Sequence, residues 1–147
     1  MVVFWEGVHA TRRAAFEEVG GWPGHFFYGH EGIDLAWRLI DAGWQIRYEP
    51  SVVVNHPATS PTRHAVYYRM NARNRVWVAR RNLPVSLVPV YLGVWVAITV
   101  LRIRNLAALR IWFSGFWEGI ATSCGERRPM RWSSVLTMAR LGRPPIV

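Results

Sequence analysis

The chain has 147 residues, room for one ordinary domain and too few for two. Hydrophobic residues make up 51%, aromatics 14% and charged residues only 18%, which excludes a disordered chain and leans towards membrane contact. The single cysteine, Cys124, excludes an internal disulfide framework and a cysteine-based zinc site, and the first residues lack the basic start of a signal peptide.

All 18 basic residues are arginine, and the net charge of +9 is unevenly spread. Up to residue 58, Arg12, Arg13, Arg38 and Arg47 face seven acids, a balance of −3. Beyond it, 14 arginines face only Glu118 and Glu126, a balance of +12. A near-neutral head on a basic, tryptophan-rich tail predicts two different surroundings. The tail's partner should be anionic, phospholipid or nucleic acid.

In chain order, Val2 to Trp5 reads as a buried strand, and Thr11 as the cap of a short helix through Glu18, closed by Gly20 and Gly21. Residues 22–29 form a loop rich in Gly, Pro and aromatics. Residues 31–41 have helical periodicity, with Ile33, Trp37 and Ile40 on one face and Gly43 just past the end. Alternation over 44–49 and the apolar run at 52–55 predict two short strands. Ser60 and Pro61 suit a helix start, and the arginine-dense helix that follows should reach about Asn82.

Residues 84–101 carry no charge for 18 positions, a helix of roughly 27 Å at the lower edge of a bilayer core. Pro89 and Gly93 interrupt it, and Arg80–Arg81 before it with Arg102 and Arg104 after it favour an in-plane hairpin over a single crossing. Residues 106–120 pattern as an interfacial amphipathic helix with Leu109, Phe113, Phe116, Trp117 and Ile120 on one side. Residues 125–147 form a basic, loosely packed tail.

Candidate chemistry centres on Glu31 and Asp34. Carboxylates in a first helical turn suit the helix dipole, so capping is one reading; accepting a proton from a substrate hydroxyl, or holding a metal, is the other. Three residues apart, the two lie on one helix face. His56, at a predicted strand end, is either a polar loop residue or a metal ligand through neutral imidazole. Arg73 and Arg75 suit a phosphate or a lipid headgroup. There is no phosphate-binding glycine loop, nucleophile elbow or zinc motif.

Three ordered blocks then carry a resemblance: Arg12 to Trp22 (RRAAFEEVGGW), Phe26 to Leu39 (FFYGHEGIDLAWRL) and Ala42 to Tyr48 (AGWQIRY). They resemble the C-terminal catalytic half of family 2 glycosyltransferases, most of all actinobacterial members. The resemblance is detailed over residues 5–58 and looser beyond. It implies an α/β class: part of a GT-A sheet domain over 1–58, then an arginine-rich amphipathic helix over 59–83, membrane-associated helices over 84–124 and the basic tail over 125–147.

The same resemblance implies inverting transfer of a sugar from a nucleotide-sugar donor, assisted by a divalent metal (Mg or Mn). Glu31 and Asp34 match the first and last acids of the family's EDxD segment, while Gly32 stands where the usual base falls; Glu31 is taken as its replacement. His56 matches a strand-end histidine and is assigned to metal, and His30, Trp37 and Arg38 to acceptor binding. No Asp-x-Asp motif occurs, so the chain reads as a C-terminal part whose donor site belongs to a missing N-terminal half. The expected partners are the donor, a lipid-linked or polysaccharide acceptor, and the cytoplasmic face of the cell membrane. A non-catalytic membrane-bound remnant of such an enzyme is the second reading. Nucleic-acid binding is set aside, because the charge flanks an apolar run.

Overall fold

A computed structural model describes residues 8–55 and 65–146. Over them the chain forms six helices: α1 (Arg13–Glu18), α2 (Glu31–Asp41), α3 (Ala65–Asn82), α4 (Leu87–Arg102), α5 (Leu106–Ala121) and α6 (Trp132–Arg140). The expected strand at Val2 to Trp5 and the helix start at Ser60 lie outside the described residues.

α2 forms where its periodicity places it, and it is apolar on two sides. Leu35 and Leu39 pack with Ala15 and Val19 of the α1 region, and Phe16 and Trp44 close that layer. Ile33, Trp37 and Ile40 face a larger core built by Phe26, Trp77, Val78, Leu83, Tyr91, Met130, Val135 and Met138. Each layer removes several large side chains from water, at about 1.5–3 kcal/mol apiece when burial is complete. Gly43 ends the helix at φ +94, where a side chain would be strained.

α3 runs through the centre despite its five arginines, because each guanidinium finds a carboxylate, a hydroxyl or a helix-end carbonyl. Arg80 donates to the carbonyls of Gly119, Ile120 and Thr122 at the end of α5. Arg127 returns the favour to α3, donating to Arg80 and Leu83 carbonyls. Orphan carbonyls at a helix C-terminus attract such cations. α5 lies directly against α3 with Ala108, Trp112, Gly115 and Gly119 buried between them.

Three expectations are corrected. No strand occurs among the described residues, so the α/β class and the GT-A half-sheet are not what forms here. Among the described residues, 44–49 and 52–55 have no second strand to pair with. Trp44 instead donates its indole N–H to Glu18 at 2.8 Å, and Val52, Val53 and Val54 are 64%, 79% and 54% exposed.

The membrane-associated helices are the second correction. No helix among the described residues is long and apolar enough to cross a membrane. α4 has 16 residues, about 24 Å, against a hydrocarbon core of about 30 Å, and its Tyr91 and Thr99 are buried in protein. The assignment to the cytoplasmic face of the cell membrane loses its basis with them.

The tail is the third. Residues 132–140 are helical, and Val135 and Met138 join the main core. Asp41 fixes α6 by accepting from the Ser134 hydroxyl at 2.6 Å and the Arg131 amide at 2.8 Å. This core spans all four sequence segments.

Candidate functional site

The loop before α2 has an unusual backbone. Phe27, Tyr28, Gly29 and His30 take φ values of 44, 66, 96 and 73, four successive left-handed residues of which three have side chains. Each such non-glycine residue costs on the order of 1 kcal/mol or more, so the surroundings must hold it. Asn74 does so. Fully buried on α3, its side-chain amide donates to the carbonyls of Phe27 (3.0 Å), Tyr28 (3.4 Å) and Gly29 (2.8 Å). Arg73 donates to the preceding carbonyl, Phe26.

Held this way, the loop and the start of α2 wall a cleft of about 390 Å³, lined by Trp22, Pro23, Gly24, Phe27, Tyr28, Gly29 and Glu31. Trp22 and Tyr28 are 41% exposed and Phe27 69%. Among the described residues Glu31 is the cleft's only carboxylate, and it sits in the first turn of α2, where the helix dipole favours its charge. Aromatic faces beside a carboxylate can bind the apolar face of a sugar ring while accepting a hydroxyl proton.

Asp34 goes elsewhere. It is wholly buried, with Oδ2 accepting from Arg38 Nε at 2.8 Å and Oδ1 from Arg81 Nε at 2.9 Å and Asn82 Nδ2 at 2.7 Å. Arg38 continues to the carbonyls of Val19 and Gly21, so one carboxylate ties the α1 turn, α2 and α3 together. Glu31 and Asp34 therefore share a helix turn without sharing a site. Trp37 and Arg38 line a separate cleft of about 160 Å³ with Asp41, Asn82 and Arg128.

His30 is 6% exposed, and its imidazole pKa lies well below 6.5, first through burial and then through the nearby Arg75 charge. The ring is neutral in the fold at neutral pH. In the unfolded chain it protonates near 6.5, so below that pH the unfolded state binds more protons and stability falls. Each pH unit inside that window costs up to about 1.4 kcal/mol. Denaturation midpoints from pH 7 to 5 should fall more steeply for the native chain than for His30→Asn, which tolerates the left-handed backbone but cannot titrate there. Equal slopes would remove His30 as the source.

Among the described residues no three His, Cys, Asp or Glu side chains cluster as a metal site. Asp34, flanked by two guanidinium groups, is unsuited to a cation, and His56 lies outside the described residues. The described residues do not make a site for the divalent ion, and no step below passes through one. Arg73 is neutralised by Glu118 at 3.5 Å and stacks on Trp77, whereas Arg75 donates to the Tyr91 hydroxyl at 3.3 Å and lies 3.4 Å from the centre of the Trp95 ring.

Asn74, Arg81 and Asn82 were not legible as site-building residues. The signal that could have found them is asparagine inside a helix, where it is unfavourable unless its amide has a partner.

Comparison with known proteins finds partial relatives. Over 70 residues, 48% of this chain, it is 37% identical to the pre-mycofactocin glycosyltransferase of Mycobacterium tuberculosis. Over 54 residues, 36% of this chain, it is 44% identical to that organism's N-acetylglucosaminyl-diphospho-decaprenol L-rhamnosyltransferase. Part of this chain is related to glycosyltransferases. The matched stretches span only 12% and 18% of those two relatives. No protein-family profile and no solved structure matches the chain.

Proposed function

We propose that this chain supplies the acceptor side of a glycosyl transfer, with the cleft over the start of α2 presenting an acceptor hydroxyl to Glu31. The observation that carries the reading is a carboxylate placed on an aromatic cleft by a strained, tightly held loop, in a chain partly similar to glycosyltransferases. Glu31 acts as the general base: it takes the proton of the attacking hydroxyl as that oxygen bonds to the anomeric carbon. The bond from that carbon to the nucleotide diphosphate breaks on the opposite face, which inverts the centre. Trp22, Phe27 and Tyr28 orient the acceptor ring, and Asp34 acts as a positioning residue by fixing α2.

In this reading the activity is of the family 2 kind, the donor is a nucleotide sugar, and the acceptor is a saccharide hydroxyl, lipid-linked or polymeric. The rhamnosyltransferase relative is named for a lipid-linked sugar, N-acetylglucosaminyl-diphospho-decaprenol, which supports that class.

Glu31→Gln keeps size and hydrogen bonding while removing the proton acceptor. In a transfer assay at saturating donor and acceptor, turnover should fall about 10²–10⁴-fold, with acceptor KM little changed. Unchanged turnover would remove Glu31 from the mechanism and leave the cleft as a binding surface.

A further inference from the structure

Behind the cleft wall, α2, α3 and α4 meet around Arg75, and the groups gathered there are almost all donors. The Arg75 guanidinium covers the Trp95 ring at 3.4 Å and donates to the Tyr91 hydroxyl at 3.3 Å. Tyr91 is 2% exposed and joins the cluster together, with Trp37 edge-on to it at 6.1 Å and Trp95 at 6.3 Å between ring centres. The neighbouring Asn74 bonds to the carbonyl of Gly29, so α3 passes the α2 start one residue from His30. Three ring nitrogens here, His30 Nε2, Trp37 Nε1 and Trp95 Nε1, are buried and have no hydrogen-bond partner among the described residues.

Two imbalances coincide at this junction. Among the described residues Arg75 has no carboxylate within ion-pair distance, unlike Arg69, Arg73, Arg38 and Arg81, each of which has one. Indole N–H groups can only donate, as can a guanidinium, and neutral His30 adds a donor in its Nε2–H tautomer, so donors outnumber the one acceptor, the Tyr91 hydroxyl. Buried donors without acceptors are costly, and a partly buried cation without a counter-charge more so. A tetrahedral oxyanion corrects both at once, because it brings negative charge and several acceptor oxygens.

We propose that Arg75, with Trp37, Trp95 and His30, forms a binding site for a phosphate or diphosphate group at the junction of α2, α3 and α4. Arg73 is not part of it: Glu118, the Phe26 carbonyl and Trp77 already engage its guanidinium. The site goes beyond the transfer reading, since neither Glu31 nor the aromatic cleft is needed for it. Its phosphate can belong to a free anion or to a diphosphate-bearing substrate that extends from the cleft.

Calorimetric titration of the full chain with inorganic phosphate, pyrophosphate and uridine diphosphate, in separate arms at constant ionic strength, tests it. Saturable one-to-one binding in at least one arm is expected. Tightest binding of phosphate identifies a free anion, and of either diphosphate a diphosphate-bearing ligand. Arg75→Met keeps the stem on Trp95 and should weaken binding about 10-fold or more, the scale of a lost charged hydrogen bond. Trp95→Phe keeps the ring and loses one donor, and should weaken it about threefold or more. Arg110→Gln, an exposed arginine elsewhere, should change it by less than about twofold. If Arg75→Met does not fold by circular dichroism, Trp95→Phe carries the comparison. Absence of saturable binding in all three arms, unchanged affinity in the folded cluster variants, or an equal loss in Arg110→Gln would overturn the site. No sugar transfer is measured, so this result and the Glu31 result stand separately.

Discussion

Asp34→Ala should destabilise the fold by about 3–5 kcal/mol, a large share of the roughly 5–15 kcal/mol that holds a domain of this size. The carboxylate is wholly buried, and the Arg38 and Arg81 side chains that meet it are only 9% and 11% exposed. Removing it leaves two poorly hydrated guanidinium groups without a counter-charge, and Arg38, Arg81 and Asn82 keep only backbone carbonyls as acceptors. Its three partners come from α2 and the end of α3, so the damage spreads to how these helices sit on one another. Asp34→Asn keeps the volume and one acceptor oxygen, and should cost distinctly less. Urea denaturation of both variants gives the comparison; a loss below about 1 kcal/mol for Asp34→Ala would mean that the network is not holding the helices together.

Gly115→Ala should also be strongly destabilising, although alanine is the better helix former by about 1 kcal/mol. A Cβ at Gly115 would stand 2.1 Å from the Arg69 carbonyl oxygen and 2.8 Å from its carbonyl carbon, and one at Gly119 would stand 2.8 Å from the Arg73 oxygen. These are backbone atoms of α3 and cannot swing aside. α5 must move away, loosening the Arg69–Glu118 pair and the Arg80 bonds to its last turn. Overpacking of this kind costs about 1–3 kcal/mol or more, so the sign of the measured change decides the matter. A variant more stable than the native chain would show that α3 and α5 do not touch as described.

These two sites explain what the sequence made legible. α2 was readable to the residue because apolar spacing, first-turn acids and Gly43 agree with one another. α5 was readable as a helix, but its buried side was not. The apolar residues Trp117 and Ile120 face outward at 63% and 42% exposure, while Gly115 and Gly119 face α3. Close approach of two backbones selects small side chains, which a search for an apolar stripe passes over. The arginines of α3 misled for a related reason: charge alone does not distinguish a guanidinium facing an anionic partner from one capping a helix end. The strands expected at 44–49 and 52–55 do not form because alternation is a property of one segment, whereas a ladder needs two.

At the candidate site, the place of Glu31 at the start of α2 was legible, and Asn74 was not, since its bonds go to a loop 45 residues away in sequence. Asp34 was paired with Glu31 by spacing; burial separates their jobs, one facing a cleft and the other a pair of arginines.

The most direct test of the central claim is a titration of the isotope-labelled chain with a soluble alkyl glycoside, followed by amide nuclear magnetic resonance. Saturable shifts should appear at Trp22, Phe27, Tyr28, Gly29 and Glu31 and fade in Phe27→Ala, which removes an exposed aromatic wall without touching the buried network. Shifts absent from that cleft, or confined to the outward faces of α4 and α5, would contradict it.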